Sequence, residues 1–401
     1  MENYLPISKR VNKIGVSPTM KIAAEARGMQ SRGENIIDLS VGEPDFPTPV
    51  NIKEAAKQAI DNNQTRYTLN NGTIELRKAI SQKLLSKNGL EYSPDDIIVS
   101  TGAKQSLYNS IQSLVHDKDE VIFSSPYYVS YPEMVTLAHG HSVIVPTSEA
   151  TEFNLTPDQL EKAITPKSKV LILSYPSNPT GSCYIRSELE VLSEIVLKNN
   201  LYVICDDIYE NIIYDDLQFV SFAGLNEEIK KKTVVVNSFS KSYAMTGWRL
   251  GYAAGPKHII EGMNKIQSHS TSNASSISQA AALEALNGPQ DFIAMMKTDY
   301  EQRRNFVYQQ ITSIEGITCF KPKGAFYLFP NIKNYFGRST SVFRIEHSFD
   351  LAMYLLYEAK VAAVPGSAFG AEGYLRLSFS TSMENLKEGV ERIKAALAKL
   401  V

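Results

Sequence analysis

Short apolar, β-rich runs recur through the middle of the chain, most of them dense in Val and Ile, and helical patterns separate the early ones. The runs fall at 97–101, 121–125, 142–146, 170–175, 201–205, 233–236 and 250–254. Most show no alternation of apolar and polar residues, as expected of strands buried on both faces. Helical patterns at 105–115, 131–138 and 187–198 separate the early runs. This alternation predicts an α/β fold with a mainly parallel, seven-stranded sheet flanked by helices. The interval between Val236 and Leu250 is too short for a helical crossover, so the last run is expected to lie antiparallel.

Toward the C-terminus the rhythm changes. Strand-like runs at 325–329, 361–364 and 374–380 mix with helical patterns at 299–311 and 350–359, which predicts a smaller α+β domain. The last helix has an apolar stripe of Leu386, Val390, Ile393 and Leu397, and Thr381 with Glu384 reads as its capping box. At 401 residues the chain exceeds the ~250–300 at which one core stops growing. Residues 46–290 are therefore expected to form the large domain, and 1–45 with 291–401 the small one. The arm at 1–45 has no strong sheet signal and is expected to pack with the small domain.

Composition narrows the function classes. The hydrophobic fraction of 43% and charged fraction of 21% are those of a folded globular protein. A formal net charge of -2 offers no electrostatic footprint for nucleic acid or an anionic membrane. Cys183, Cys205 and Cys319 are far apart and form no CxxC pair, so neither a disulfide framework nor a zinc site is expected. No segment approaches the ~18 consecutive apolar residues of a membrane span. The N-terminal string MENYLPISKRVNK lacks the apolar core of a secretion signal, so a cytoplasmic location is expected.

Candidate chemistry gathers just past the strands, where open α/β sheets place their ligands. At 237–252 the chain reads NSFSKSYAMTGWRLGY, so Ser238, Ser240 and Lys241 emerge at a strand's end. Ser-x-x-Lys occurs in penicillin-recognising enzymes, but the S-D-N and K-T-G strings those need are absent. The other reading makes Lys241 a carbonyl-binding amine, its pKa lowered by desolvation and cationic neighbours; a solvated loop lysine is the plain alternative. Arg249 could hold a phosphate through paired hydrogen bonds, with Ser238 adding a hydroxyl. Gly102, Ala103 and Lys104 open a helix, where free N–H groups can meet an anion, though an ordinary strand-to-helix turn would look the same. Asp206 and Tyr209, in LYVICDDIY, could hold the proton of a pyridine nitrogen and a ring oxygen, or Asp206 could simply cap a helix. Asn178 lies in SYPSNPTG, for which a turn is the simplest reading.

Further strings join these in order: VGEPDFPTP at 41–49, RYTLNNGTIELR at 66–77, STGAKQSLYN at 100–109, SPYYVSYPEM at 125–134, KGAFY at 323–327, VPGSAFG at 364–370 and YLRLSFSTS at 374–382. Together they resemble the class I aminotransferases of the pyridoxal-phosphate fold type I superfamily, in particular the bacterial aspartate aminotransferase subgroup. The resemblance implies pyridoxal 5'-phosphate as cofactor and amino transfer between L-amino acids and 2-oxo acids, by a ping-pong mechanism. It implies that Lys241 attaches the cofactor and moves the proton, that Asp206 pairs with the pyridine nitrogen, and that Asn178 and Tyr209 bond the ring oxygen. Arg249, Ser238 and the amides around Gly102, Ala103 and Lys104 would bind the phosphate. Tyr67 would reach the phosphate in the neighbouring subunit, which implies a homodimer with shared active sites. Arg376, helped by Gly42 and Asn178, would clamp the substrate's α-carboxylate.

The chain also departs from relatives. Tyr128 stands where many of them stack tryptophan on the ring. The string SHSTSNASSI at 268–277 has no Arg or Lys for a side-chain carboxylate, a role an arginine of the partner chain plays in another subgroup. Lys104 is the substitute that the resemblance implies for this distal carboxylate; a splayed surface lysine is the alternative. Thr19 together with Lys104 occurs in relatives that accept prephenate, and Gly15 and Val16 replace a Lys-Pro pair. A lyase of the same fold would keep the cofactor residues; an idle ligand-binding relative, such as a regulator's effector domain, is disfavoured by the intact Lys241, Asp206 and Arg249 set and by the lack of a DNA-binding extension. A nicotinamide dehydrogenase would need a G-x-G-x-x-G after a strand, which is absent.

Overall fold

The computed structural model describes residues 7–15 and 18–401, without the side chains of 18–20. The expectations attached to Val16 and to the Thr19 side chain lie outside the described residues.

Seven strands form one sheet: β1 (Ile97–Ser100), β2 (Glu120–Ser125), β3 (His141–Pro146), β4 (Ser168–Ser174), β5 (Tyr202–Asp206), β6 (Thr233–Ser238) and β7 (Gly251–Ala254). Their spatial order is β1-β7-β6-β5-β4-β2-β3. Pairs from β3 to β6 are parallel, while β7 runs antiparallel between β6 and β1. The short Val236–Leu250 interval thus has the consequence read from its length: the chain turns back without a covering helix. Every residue of β1, β6 and β7 is buried, whereas β3 at the edge is largely open although it carries Val143, Ile144 and Val145, because burial follows a strand's place in the sheet.

Helices cover both faces. Two of them matter for the site: α1 (Ile74–Asn88) and α2 (Ala103–Leu114). Thr73 caps α1, accepting the Leu76 N–H, and Gly89 closes it in the left-handed region at φ +67°. One face of α2 lies on the sheet through Leu107, Ile111 and Leu114, which pack with Ile98, Val121, Val234 and Val236.

The rest of the chain builds a separate core. There Val364–Pro365, Leu375–Ser378 and Tyr327–Leu328 form a small antiparallel sheet, covered by α3 (Asp291–Thr312) and α4 (Met383–Leu397). The arm joins this core through Ile22, Ala26, Met29, Ile36, Ile37 and Leu39. It also contributes a two-residue strand, Ile37–Asp38, paired in parallel with Val361–Ala362.

Three local expectations change. The run 361–364 is not one strand, because the chain switches partners at Ala363 from the arm to Leu375–Ser378. Helix α3 starts at Asp291 rather than 299, because Met296 continues the buried row of Tyr300, Val307 and Ile311. The cap of α4 is Ser382, not Thr381. Its hydroxyl accepts the N–H of Asn385 at 3.1 Å, while Thr381 Oγ1 accepts the Asn385 side-chain amide at 2.9 Å. With Met383 the first helical residue, Glu384 is only the second and cannot close a capping box, which needs the third.

Candidate active site

The antiparallel return of β7 sets the ends of β1, β5 and β6 close together. Ser238 is the last residue of β6 and caps the short helix Phe239–Ser242, its Oγ accepting the Ser240 N–H at 2.8 Å. That turn presents Lys241 to a cavity of about 330 Å³, shared with Gly42, Glu43, Ala103, Lys104, Tyr128, Ser238 and Arg249.

Lys241 Nζ donates to the Gly42 carbonyl and lies 5.6 Å from the Phe326 ring centre and 5.8 Å from that of Tyr209. Burial lowers the pKa of this amine to about 8; Arg376 and Arg249 also lower it, against the opposing pull of Glu43 and Asp206. A solvated loop lysine would have no such environment.

Asp206 closes β5 with 3% of its surface exposed. Tyr131 donates to its Oδ2 at 2.7 Å, and its Oδ1 has no hydrogen-bond partner among the described residues. Burial raises the carboxyl pKa to about 6, against the opposing effects of Tyr131 and Lys241. The Ile208 backbone N–H also favours the charged form, so a turn-capping role and a role toward a ligand are both compatible with this carboxylate. Tyr209 meets the Tyr327 hydroxyl at 2.7 Å, and burial pushes its phenol well above the ordinary range.

Arg376, on Leu375–Ser378, is 6% exposed. Its Nη1 donates to Asn178 Oδ1 at 3.0 Å and its Nη2 to the Ser40 carbonyl at 2.6 Å, while Nε is buried without a partner. Its guanidinium lies 4.5 Å from the Tyr327 ring centre. A Cβ on Gly42 would come within 3.0 Å of the Tyr327 hydroxyl and 4.0 Å of the guanidinium, so glycine leaves this approach open.

Gly102 precedes α2 with φ +84°, a conformation other residues rarely adopt. A Cβ there would also stand 2.6 Å from Arg249 Nη2. Arg249, itself at φ +52°, donates Nη1 to the Thr246 carbonyl at 2.8 Å. Contrary to the apolar setting of its neighbours in sequence, Arg249 is exposed, because it faces the cavity mouth rather than the core. The free N–H groups of α2, the Ser238 hydroxyl and the guanidinium thus converge as anion donors. Lys104 Nζ lies 5.6 Å from the Tyr128 ring centre.

Tyr67 is set apart from this cluster, 93% exposed on the chain's surface. Sequence reasoning passed over Tyr131, Tyr327, Glu43 and Ser40. Tyr131 and Tyr327 sit inside the strings SPYYVSYPEM and KGAFY, yet no local signal marks a tyrosine as the partner of a carboxylate or a second phenol.

A family model described as aminotransferase class I and II matches residues 34–393. An aspartate/prephenate aminotransferase of Nitrosomonas europaea is 45% identical over 98% of this chain and 100% of its own. An aspartate aminotransferase of Geobacillus stearothermophilus is 45% identical over 97% and 98%. The crystal structure of the Rhizobium meliloti aspartate aminotransferase superposes with a TM-score of 0.96 at 43% identity, covering 99% of this chain and 100% of that one. That of the Thermus thermophilus enzyme with maleate gives 0.92 at 37% identity, covering 98% and 100%.

Proposed function

This chain belongs to the class I and II aminotransferases, and on that premise we propose that it is a homodimeric, pyridoxal-5'-phosphate-dependent enzyme moving amino groups between aspartate or glutamate and 2-oxo acids. The observation that carries the reading is one cavity joining a lysine amine of lowered pKa to an anion cradle of Arg249, Ser238 and the start of α2.

The residues fit the cofactor on their own chemistry. Asp206 Oδ1 is a buried acceptor with no partner among the described residues, which suits a protonated pyridine nitrogen. The Gly102 cradle and Arg249 suit a phosphate, and Tyr128 offers a flat face beside it. When bound, the cofactor would draw electrons from the bond being broken at the amino acid's α-carbon and store the amino group between half-reactions. Lys241 supplies an amine that is partly unprotonated near neutral pH, able to attack a carbonyl and then to carry a proton. Asp206 holds the ring nitrogen's proton, and Asn178 and Tyr209 orient the ring oxygen. Arg376 grips the α-carboxylate, and Lys104 meets the distal one from the rim of the cavity.

Tyr67 is proposed to complete the neighbouring subunit's phosphate site. Residues 46–290 and 1–45 with 291–401 are proposed as the two domains, supported by their largely separate cores. The enzyme is proposed to be cytoplasmic; among the described residues no helix is long and apolar enough to cross a membrane. Prephenate is a second acceptor to consider, favoured by the name of the Nitrosomonas relative.

The test is an absorbance spectrum of purified protein reconstituted with pyridoxal 5'-phosphate and titrated with single amino acids. A visible lysine-bound chromophore should form, and aspartate or glutamate should bleach it, with 2-oxoglutarate restoring it. No chromophore in wild type would end the proposal.

A further inference from the structure

One buried polar cluster lies outside the chemistry assigned so far. Glu210, the residue after Tyr209, is buried and pairs with Lys83 of α1, whose side chain is also largely enclosed. Its Oε2 accepts from Asn88 Nδ2 at 2.8 Å and its Oε1 from Asn237 Nδ2 at 2.7 Å. Asn237 is turned back on its own chain, its Oδ1 accepting the Ser238 N–H at 2.7 Å. Ser238 in turn caps the helix that carries Lys241. A second bridge runs alongside, from Asn211 Nδ2 to Ser242 Oγ at 2.9 Å.

A buried ion pair is costly to desolvate, and apolar residues of equal volume often serve stability as well. What the charged pair and its amides add is direction, since each bond has a fixed geometry and every oxygen of Glu210 is used. Direction is what this place requires. Asp206 and Tyr209 come from the end of β5, Ser238 and Lys241 from the end of β6, and the Glu210 carboxylate joins the two segments to α1.

We propose that the Lys83–Glu210–Asn237 cluster is a positioning device that fixes the separation of Asp206 and Lys241, and so the fit of the cofactor between them. The proposal rests on the cofactor reading above. It makes Glu210, Lys83 and Asn237 positioning residues, none of which touches substrate.

The test compares reconstituted wild type with Glu210→Gln and Asn237→Ala. Three quantities are read: the dissociation constant for pyridoxal 5'-phosphate, the pH midpoint of the lysine-bound chromophore, and the unfolding temperature of the cofactor-free protein. Glu210→Gln keeps the shape and removes the charge. Asn237→Ala leaves the ion pair intact, and it is the variant to read if the first fails to fold. Both should weaken cofactor binding by about tenfold or more, as small misplacements do in a preorganised site, and both should move the midpoint. They should lower kcat while leaving KM for the amino acid near wild type. If only the unfolding temperature falls, with cofactor affinity and midpoint unmoved, the cluster merely stabilises the fold and the proposal is overturned. If wild type itself forms no chromophore, the cofactor reading fails first and this inference with it, so the two failures are told apart.

Discussion

Tyr131 donates its phenol hydrogen to Asp206 Oδ2 at 2.7 Å and leaves Oδ1 buried without a partner among the described residues. The pair gives the carboxylate one fixed oxygen and one available oxygen. Burial holds the Asp206 pKa near 6 against an ordinary 3.8, so the cofactor-free protein keeps full stability from this group only below about pH 4. The contribution is lost as pH rises through 6, a cost of roughly 3 kcal/mol for the two-unit shift. Asp206→Asn should therefore raise the unfolding temperature of the cofactor-free protein at pH 7 and leave it unchanged near pH 3. The same variant should lose ~10²-fold or more in kcat. Calorimetry at the two pH values, set beside steady-state rates, checks both halves.

Cofactor loading should follow the titration of Lys241. Only the neutral amine attacks an aldehyde, so the rate of chromophore formation should climb with pH and level off above about 8. An ordinary lysine would level off only above ~10.4. Glu43 opposes the lowering, so Glu43→Gln should move the plateau to lower pH. Stopped-flow absorbance across pH 6–10 (an interval of about four units around the lysine range) would reveal a plateau in the wrong place.

Arg376 should be irreplaceable. Its two nitrogens are held by Asn178 and Ser40 over the Tyr327 ring. Truncation to Ala removes the charge for the α-carboxylate and strands both acceptors, costing about 2–5 kcal/mol in kcat/KM for every amino acid. Arg376→Lys should recover little, because an ammonium cannot reproduce the planar fork. Rates for several donors of different side chain test whether the loss is uniform.

Lys104 should act on one substrate class alone. From its place at the cavity rim near Tyr128, it can meet a distal carboxylate through a charged hydrogen bond worth ~1.5–3 kcal/mol. Lys104→Ala should lower kcat/KM for aspartate and glutamate by that amount and spare apolar donors. Unchanged aspartate and glutamate kinetics would remove Lys104 from substrate recognition.

Tyr67 provides a test of shared sites. At 93% exposed, the Tyr67 side chain is available to a second copy of the chain. Tyr67→Ala and Lys241→Ala should each be crippled as pure proteins. When the two are unfolded together and refolded, hybrid dimers should regain activity, since one of their sites combines an intact Lys241 with the partner's intact tyrosine. A mixture no more active than its parents would exclude that arrangement.

The order of elements was legible along the chain because burial on both faces leaves a local mark, an unbroken run of Val and Ile, and a helix leaves a period. The reversal of β7 was legible as well, since chain length alone forbids a crossover in so short an interval. The cap of α4 was misplaced by one residue because Thr381 and Ser382 both carry a hydroxyl, and only the backbone decides which one ends the extended segment. The residue types of the site, Lys241, Asp206, Arg249 and Arg376, could be picked out by their strings. Their working environment could not. Tyr131 lies 75 residues from Asp206, and Asn178 and Ser40 lie 198 and 336 residues from Arg376. Such partners are set by the order in which strands join the sheet and by how the two cores meet, and no local pattern encodes either. The lowered pKa of the amine, about 8, and the buried oxygen that the carboxylate keeps without a partner arise only when folding removes water from around them.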